Sequence, residues 1–514
     1  MKRLAFFATI LLCLFLFSGS SLSAAQIEKG PYMLYPGSNT QMTILWQLDS
    51  TTTCTLAWGT DTTYSTGSTV TSEYGSDHQH KYNITGLTAG TKYFYRLNVS
   101  GSYYTGTFYA APLDTATEIK FLAYGDTRSY PADHDAVCSR MINTYTNDSG
   151  YQTMALHVGD WVNYGDTESD WTGQFFDRSY TNSTQFQANI PIMGCMGNHE
   201  YTGALYTKYW PYPFVNDRYF SYDYGPVHVV IVDQYVSFSP GSTQYTWLEN
   251  DLSGTTKDWK IIVLHEPGWS AGGHSNWTDV QNYIHPLCLQ YGVDIVFAGH
   301  NHYYARCDVD GIQHVTTGGG GAPLYAPSSS ADNLVTATEV HHFCELEVAN
   351  GLLTCVARDR NGNVIDSFTQ DNTVSSPLPF TDGFESGDLT TGGWVIASKA
   401  KAVSTTSYNG NYSAELGRAA SITKSAHTIG KTDIHVKYAR KTVGLDSGEY
   451  LVVEWYDGAN WNELERTQDT AWVYKDFTLP AAAAGNASFK IRFINEEVDN
   501  KEYTYVDDVE ISGT

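Results

Sequence analysis

Five apolar runs of strand length, spread between residues 118 and 302, each stop on side chains of the kind that bind metals. IKFLAYGD stops at Asp126, TMALHVGD at Asp160 and IPIMGCMGNHE at Asn198, His199 and Glu200; KIIVLHEP carries His265, and DIVFAGHNH carries His300 and His302. A strand interior is a costly place for an unpaired carboxylate. The carboxyl end of a strand in an α/β sheet, by contrast, opens onto a crevice. One such ending is chance, and a histidine pair is ordinary in a chain with 16 histidines. Five endings in one segment predict that the strand ends converge on one edge of a sheet and form a site there. Helical patterns such as DHDAVCSRMINTY, QYTWLENDL and TDVQNYIHPLCLQYG separate the runs, so residues 118–370 read as an α/β domain.

The donor types narrow what is held. Oxygens of Asp and Asn mixed with imidazoles suit Zn, Mn, Fe or Co better than Ca or Mg. Six candidate donors exceed the needs of one tetrahedral ion. Two ions sharing a carboxylate would use them all, and ions about 3.5–4 Å apart suit in-line displacement at phosphorus.

Around this segment the texture changes. Residues 26–113 alternate apolar and polar in short runs, which reads as a small β-sandwich. Residues 371–380, DNTVSSPLPF, read as a linker, and residues 381–514 as a second β-sandwich of jelly-roll type. Residues 1–25 have two basic residues, an apolar run from Leu4 to Phe17 and small residues after it. That is the pattern of a secretory leader, so the protein is expected outside the cell or in a periplasm. No later run is apolar enough to span a bilayer. The formal charge is −25, or −27 without Lys2 and Arg3. That balance argues against a nucleic-acid duplex as partner and leaves room for a small phosphorylated substrate whose charge the metals offset. Seven cysteines follow the leader, with no CxxC pair. Cys344 and Cys355 flank an Asn350-Gly351 hairpin turn and are the candidate disulfide, with two buried thiols as the alternative.

The ordered blocks GDTR, GDWVN, GNHE, VLHEP and GHNH resemble those of the calcineurin-like metallophosphoesterases. With GHNHYYAR, VTTGGGGAP and a fibronectin type III-like segment before them, they resemble the purple acid phosphatase branch. The Leu87–Tyr93 stretch resembles the fibronectin corner, where a tyrosine hydroxyl ties back to nearby backbone. The resemblance implies a multidomain α+β protein whose centre is a four-layer α/β sandwich. It implies hydrolysis of phosphate esters, monoesters first, by in-line attack of a metal-bound hydroxide; a phosphodiesterase or nucleotidase on the same site is the alternative. Asp160 would bridge two divalent ions, Asp126 and His302 would bind the first, and Asn198, His265 and His300 the second. His199 would face the phosphate or the leaving group, and His274 the substrate.

Two positions depart from the purple pattern. Asn163 stands where the family has a tyrosine ligand, with Tyr164 one place late, and Arg128 stands in the first block. Arg128 either forks onto phosphate oxygens or forms an ion pair at the domain edge. In the last domain, Asp382 and Glu385 near its first strand and Asp507 and Asp508 in its last are expected to hold a structural Ca²⁺, with a merely acidic surface as the alternative. That domain resembles modules that attach to polysaccharides or cell surfaces.

Two rival readings remain. Gly268-Trp-Ser270-Ala-Gly272 fits GxSxG, but the serine follows a loop rather than a strand, against a nucleophile elbow. A non-catalytic surface protein is the other rival, and turnover with added metal separates it. The Gly318–Gly321 run lacks the Gly-Lys-Ser/Thr of a P-loop and reads as close backbone packing.

Overall fold

The structure is a computed structural model describing residues 24–148, 154–216, 218–371, 378–426, 428, 431–458, 460–486, 489–496 and 502–514. Nearly all of the expected leader and the centre of the expected linker lie outside the described residues.

Between residues 27 and 109 the alternating runs form antiparallel sheets of three and four strands. In Lys92–Val99 every second residue is buried. Tyr93, Tyr95, Leu97 and Val99 share one core with Ile44 and Trp46 of the other sheet. Thr88 N–H donates to the Tyr93 hydroxyl at 3.0 Å, the tie that the Leu87–Tyr93 stretch leads one to expect. This unit is fastened to the next: Tyr32 and Tyr95 donate to the carbonyls of Tyr209 and Ala188, each at 2.9 Å.

The central body has two sheets, of six and seven strands. Ile119–Tyr124, Ala155–His157 and Ile192–Gly194 run parallel in the first. Val227–Ile231, Trp259–Val263 and Ile295–Ala298 run parallel in the second. Period-two alternation sorts the second sheet's side chains between two cores. Val229, Ile231, Ile261, Val263, Ile295 and Phe297 pack toward the first sheet. Val230, Val232, Ile262, Leu264, Val296 and Ala298 pack against Leu248 and Leu252 of helix Thr243–Gly254 and Leu287 of helix His285–Tyr291. Strands buried on both faces explain why these runs read as continuously apolar.

The expectation of one sheet edge is corrected by this topology. Three of the five run ends belong to the six-stranded sheet and two to the seven-stranded sheet. From Phe220 the chain builds a second sheet whose inner face covers the first, and the site forms across the carboxyl ends of both.

Asn350 and Gly351 have φ of 54° and 73° and close a two-residue hairpin between His342–Ala349 and Leu352–Asp359. The disulfide candidate on this hairpin is also corrected. Cys344 lies opposite Ala357 and Cys355 opposite Leu346, and both are free buried thiols. Diagonal neighbours in a sheet stand about 7–8 Å apart, beyond the usual span of a disulfide.

Residues 380–512 form sheets of six and five strands around a separate core containing Trp394, Tyr438 and Phe493. The first strand, Phe380–Asp382, pairs with the last, Tyr503–Ser512. Among the described residues no helix is long and apolar enough to cross a membrane.

Candidate metal centre

Three of the five blocks turn sharply as their strands end. Asp126, Asp160 and His300 have φ of 55°, 55° and 66°. Such backbone is uncommon outside glycine and is disfavoured by about 1–3 kcal/mol per residue. Three strained residues within one site mark a place where geometry is held against local preference. The turns also need room. A Cβ on Gly299 would overlap Asp126 Oδ2 and stand 2.8 Å from Val158 Cγ2. The Gly318–Gly321 run lies under the same turns: a Cβ on Gly320 would strike the Gly125 carbonyl, and one on Gly318 would sit 2.9 Å from Asp126 Oδ2.

All six expected donors meet. Asp126, Asp160 and His302 present ligand atoms within 4.8 Å of one another. On the other side of Asp160, His265 Nε2 is 3.2 Å from Asp160 Oδ1 and 3.1 Å from Asn198 Oδ1, and His300 Nδ1 is 3.0 Å from Asn198 Oδ1. The second nitrogens fix the tautomers. His265 Nδ1–H donates to the Val158 carbonyl at 2.7 Å, and His302 Nδ1–H donates to the Pro323 carbonyl at 2.6 Å. A carbonyl only accepts, so in the neutral rings Nε2 of each carries a lone pair. The His265 lone pair faces Asp160 and Asn198 oxygens, which are acceptors too, while that of His302 stands 3.5 Å from Asp126 Oδ1 and 3.4 Å from Arg128 Nη2. Acceptor set against acceptor inside a buried pocket is reconciled by a cation, and imidazoles held by backbone carbonyls are the usual support of metal-binding histidines.

Electrostatics point the same way. Burial is the main cause that pulls the His300 imidazole down to about 2 and His302 to about 3, so both are neutral donors. Burial, then the nearby Asp160 charge, pushes the Asp126 carboxyl well up. Burial opposes the Asp160 charge as well, but His265, His199 and Arg128 outweigh it and hold that carboxyl below its usual range.

The expected substrate-facing residues lie around this centre. His199 N–H donates to Asp160 Oδ1 at 3.0 Å, and its ring is anchored by Nδ1–H donating to the Asn163 carbonyl at 2.6 Å. The His274 ring lies on the His300 ring, with centroids 3.9 Å apart. Arg128 does not sit at a domain edge. Its Nε is 3.1 Å from Asp160 Oδ2, its side chain is only 12% exposed, and it reaches Asn163 Oδ1 at 3.4 Å. Tyr164 is 54% exposed and does not replace the missing tyrosine.

Three neighbours were not assigned roles from the sequence. Glu200 is fully buried and clamps the turns: its oxygens accept from the backbone N–H of Gly197 (2.7 Å), Trp161 (2.9 Å) and Asp160 (3.0 Å). Glu266 Oε2 stands 3.6 Å from His300 Nε2 while Oε1 accepts from the Tyr235 hydroxyl. Tyr325 stacks on His302 with centroids 4.2 Å apart, and Arg128 lies beside its hydroxyl. Glu200 ends the GNHE block and Glu266 lies inside VLHEP; Tyr325 follows the glycine run with no period to flag it.

The expected calcium donors are less gathered. Glu385 and Asp507 both grip the 408–412 loop, Glu385 accepting from Asn411 and Tyr412 N–H and Asp507 from Tyr408 and Asn409 N–H. Asp382 accepts from Phe384 N–H and Trp394 Nε1–H. Asp508 adopts φ of 46° in the last strand. Among the described residues these four do not form a group of three carboxylates within reach of one ion. Ser270 of the GxSxG stretch is a loop tie, its hydroxyl donating to the His274 carbonyl at 2.6 Å and accepting from Gly272 N–H at 3.0 Å.

Comparison with known proteins agrees with this geometry. The family model described as calcineurin-like phosphoesterase matches residues 119–304. Purple acid phosphatase 18 of Arabidopsis thaliana is 27% identical over 281 residues, covering 48% of this chain and 59% of the relative. Fe(3+)-Zn(2+) purple acid phosphatase 12 of Arabidopsis thaliana is 23% identical over 261 residues, covering 46% and 53%. The match spans less than two thirds of either relative's length. The solved purple acid phosphatase PPD1 from yellow lupin (Lupinus luteus) seeds shares the fold with a TM-score of 0.56 at 19% identity, covering 66% of this chain and 74% of that one. The chain carries a calcineurin-like metallophosphoesterase domain and, within that family, is similar to the purple acid phosphatases.

Proposed function

We propose that the protein is a metal-dependent phosphoric ester hydrolase with two divalent transition ions, Zn, Mn, Fe or Co, acting on small phosphate monoesters. The observation that carries this is the inward lone pair of His265 facing the oxygens of Asp160 and Asn198, with Asp126 and His302 gathered on the other side of Asp160. Asp126 and His302 would hold one ion, Asn198, His265 and His300 the other, and Asp160 would be shared. When bound, the ions supply an activated water and neutralise the phosphoryl oxygens. His199, with Nδ1–H committed to a carbonyl, gives or takes a proton through Nε2 at the leaving oxygen. Arg128 offers a planar fork to the phosphoryl group from its place beside Asp160. His274, lying on His300, lines the approach. The relative named as an Fe(3+)-Zn(2+) enzyme supports a two-ion centre, while Asn163 in place of tyrosine favours two divalent ions here.

The layout belongs to the same proposal: a fibronectin type III-like sandwich over 26–113, the catalytic unit over 118–370 and a jelly roll over 381–514, secreted after loss of residues 1–25. The last unit is proposed to attach to a polysaccharide or cell surface; the spread of Asp382, Glu385, Asp507 and Asp508 favours the acidic-surface alternative over a shared structural Ca²⁺ there. The test is a panel of phosphomonoesters, diesters and nucleotides with purified protein before and after chelation. Monoester turnover lost on chelation and restored by a divalent transition ion is expected. Absence of turnover with every ion returns the protein to the non-catalytic surface reading.

A further inference from the structure

Two exposed tyrosines stand at the rim of this centre. Tyr164 and Tyr201 are 54% and 51% exposed, their ring planes lie within 10° of parallel and their centroids are 6.3 Å apart. Tyr201 lies 6.3 Å, centroid to centroid, from His199. Large aromatic side chains left in water beside a reaction centre act as recognition surfaces, because a ring supplies contact area at low conformational cost.

The backbone under both rings is locked to the site. His199 Nδ1–H donates to the Asn163 carbonyl at 2.6 Å, and Gly165 N–H returns a bond to the His199 carbonyl at 2.8 Å. A Cβ on Gly165 would stand 2.8 Å from that same carbonyl, so the two segments approach as closely as a glycine allows. Asp170 Oδ2 accepts from Tyr164 N–H at 2.9 Å, fixing the first ring's base. Tyr201 is held at φ 48° and ψ −102°. For a bulky residue that is an outlier where glycine is the relaxed choice. The fold therefore holds a tyrosine against local preference, one residue after the buried Glu200 clamp, and turns its ring outward beside His199. Residues in sparse backbone regions concentrate at ligand clamps.

We propose that Tyr164 and Tyr201 form the leaving-group subsite, which takes phosphate esters whose alcohol carries a planar aromatic group, an aryl or nucleoside phosphate. The proposal rests on the phosphoesterase reading above and narrows its substrate class. The His199 ring neighbours Tyr201 and its Nε2 stands 3.9 Å from Asp160 Oδ2, so an ester whose phosphoryl group lies at the centre and whose oxygen lies at His199 can set its ring on the tyrosines. Ring-on-ring stacking tolerates any flat π-face, so the pair selects flatness rather than one base.

The experiment is equilibrium binding of non-hydrolysable phosphonates to metal-loaded full-length protein. Phenylphosphonate and a nucleoside phosphonate are compared with propylphosphonate, for wild type, Tyr164→Leu, Tyr201→Leu and the double variant. Ring-bearing ligands are expected to bind about tenfold tighter than propylphosphonate, as one stacked ring contributes. That preference should fall to within about twofold in the double variant, on the same scale. Preference for phenylphosphonate alone makes the subsite aryl-selective, and preference for the nucleoside compound alone makes it a nucleobase platform. Tyr201→Gly removes the ring and relaxes the backbone, so loss of preference in that variant with an unchanged melting temperature excludes a folding defect. No ring preference in wild type, or preference that survives the double variant, overturns the proposal. Ring-selective binding without turnover of any ester overturns the phosphoesterase reading and leaves the subsite standing; turnover without ring selectivity does the reverse.

Discussion

Gly299→Ala isolates the geometry of the site from its chemistry, because it adds one methyl group and removes no donor. The methyl carbon would overlap Asp126 Oδ2 and stand 2.8 Å from Val158 Cγ2 and 3.0 Å from the Val158 carbonyl oxygen. Comfortable carbon contacts are about 3.5–4.0 Å, so the neighbours must move by roughly 1 Å. The atoms that must move matter. Asp126 is a candidate donor, the Val158 carbonyl orients His265 through a 2.7 Å bond, and His300 is the next residue in the chain. Overpacking of this kind costs about 1–3 kcal/mol. At about 2–4 °C per kcal/mol for a domain of this size, the melting temperature should fall by roughly 2–12 °C. Activity should fall much further, since a misplacement of about 1 Å costs on the order of 100-fold. Calorimetry, elemental analysis and monoester kinetics on one preparation read all three quantities. A variant with wild-type metal content and turnover within about threefold would refute the close-packing account.

Asp160→Ala and His300→Ala should each abolish monoester hydrolysis and reduce bound transition metal, measured by elemental analysis. Arg128→Ala should raise KM with metal content intact; unchanged kinetics would leave it an ion pair and nothing more. The active protein should be colourless, because Asn163 cannot give a tyrosinate charge-transfer band and Tyr164 points into solvent; a strong visible band lost on Tyr164→Phe would show otherwise. Burial pulls the His228 imidazole down, but hydrogen bonds to Asp223 and Asp251 outweigh it and hold its pKa at about 9. A raised histidine stabilises fully below its unfolded value of about 6.5 and loses that contribution as pH rises through about 9. The melting temperature should therefore fall as pH rises through that window, and His228→Gln should flatten the profile.

The sequence made the donors legible because strand ends carry their chemistry in order: Asp126, Asp160, Asn198, His265, His300 and His302 needed only the knowledge that each run was a strand. It did not show that the ends come from two sheets, since a doubly buried strand reads the same in either. Glu200 looked like the tail of a donor block, and its role became visible only when its backbone partners were placed. Tyr325 arrives from a loop with no periodicity, so nothing local could place it on His302. Spacing alone sets Cys344 and Cys355 on one face of the hairpin, and the strand register puts them on a diagonal. Arg128 was ambiguous because an arginine beside a carboxylate block reaches either outward or inward, and here it reaches Asp160.

The central claim is that Asp160 is shared by two ions. Anomalous diffraction from crystals of the metal-loaded protein, collected at the edge of the bound element, locates ions without reference to activity. The account predicts two peaks about 3.5–4 Å apart, one beside Asp126 and His302, the other beside Asn198, His265 and His300, with Asp160 between them. A single peak, or two peaks with Asp160 touching neither, would contradict it.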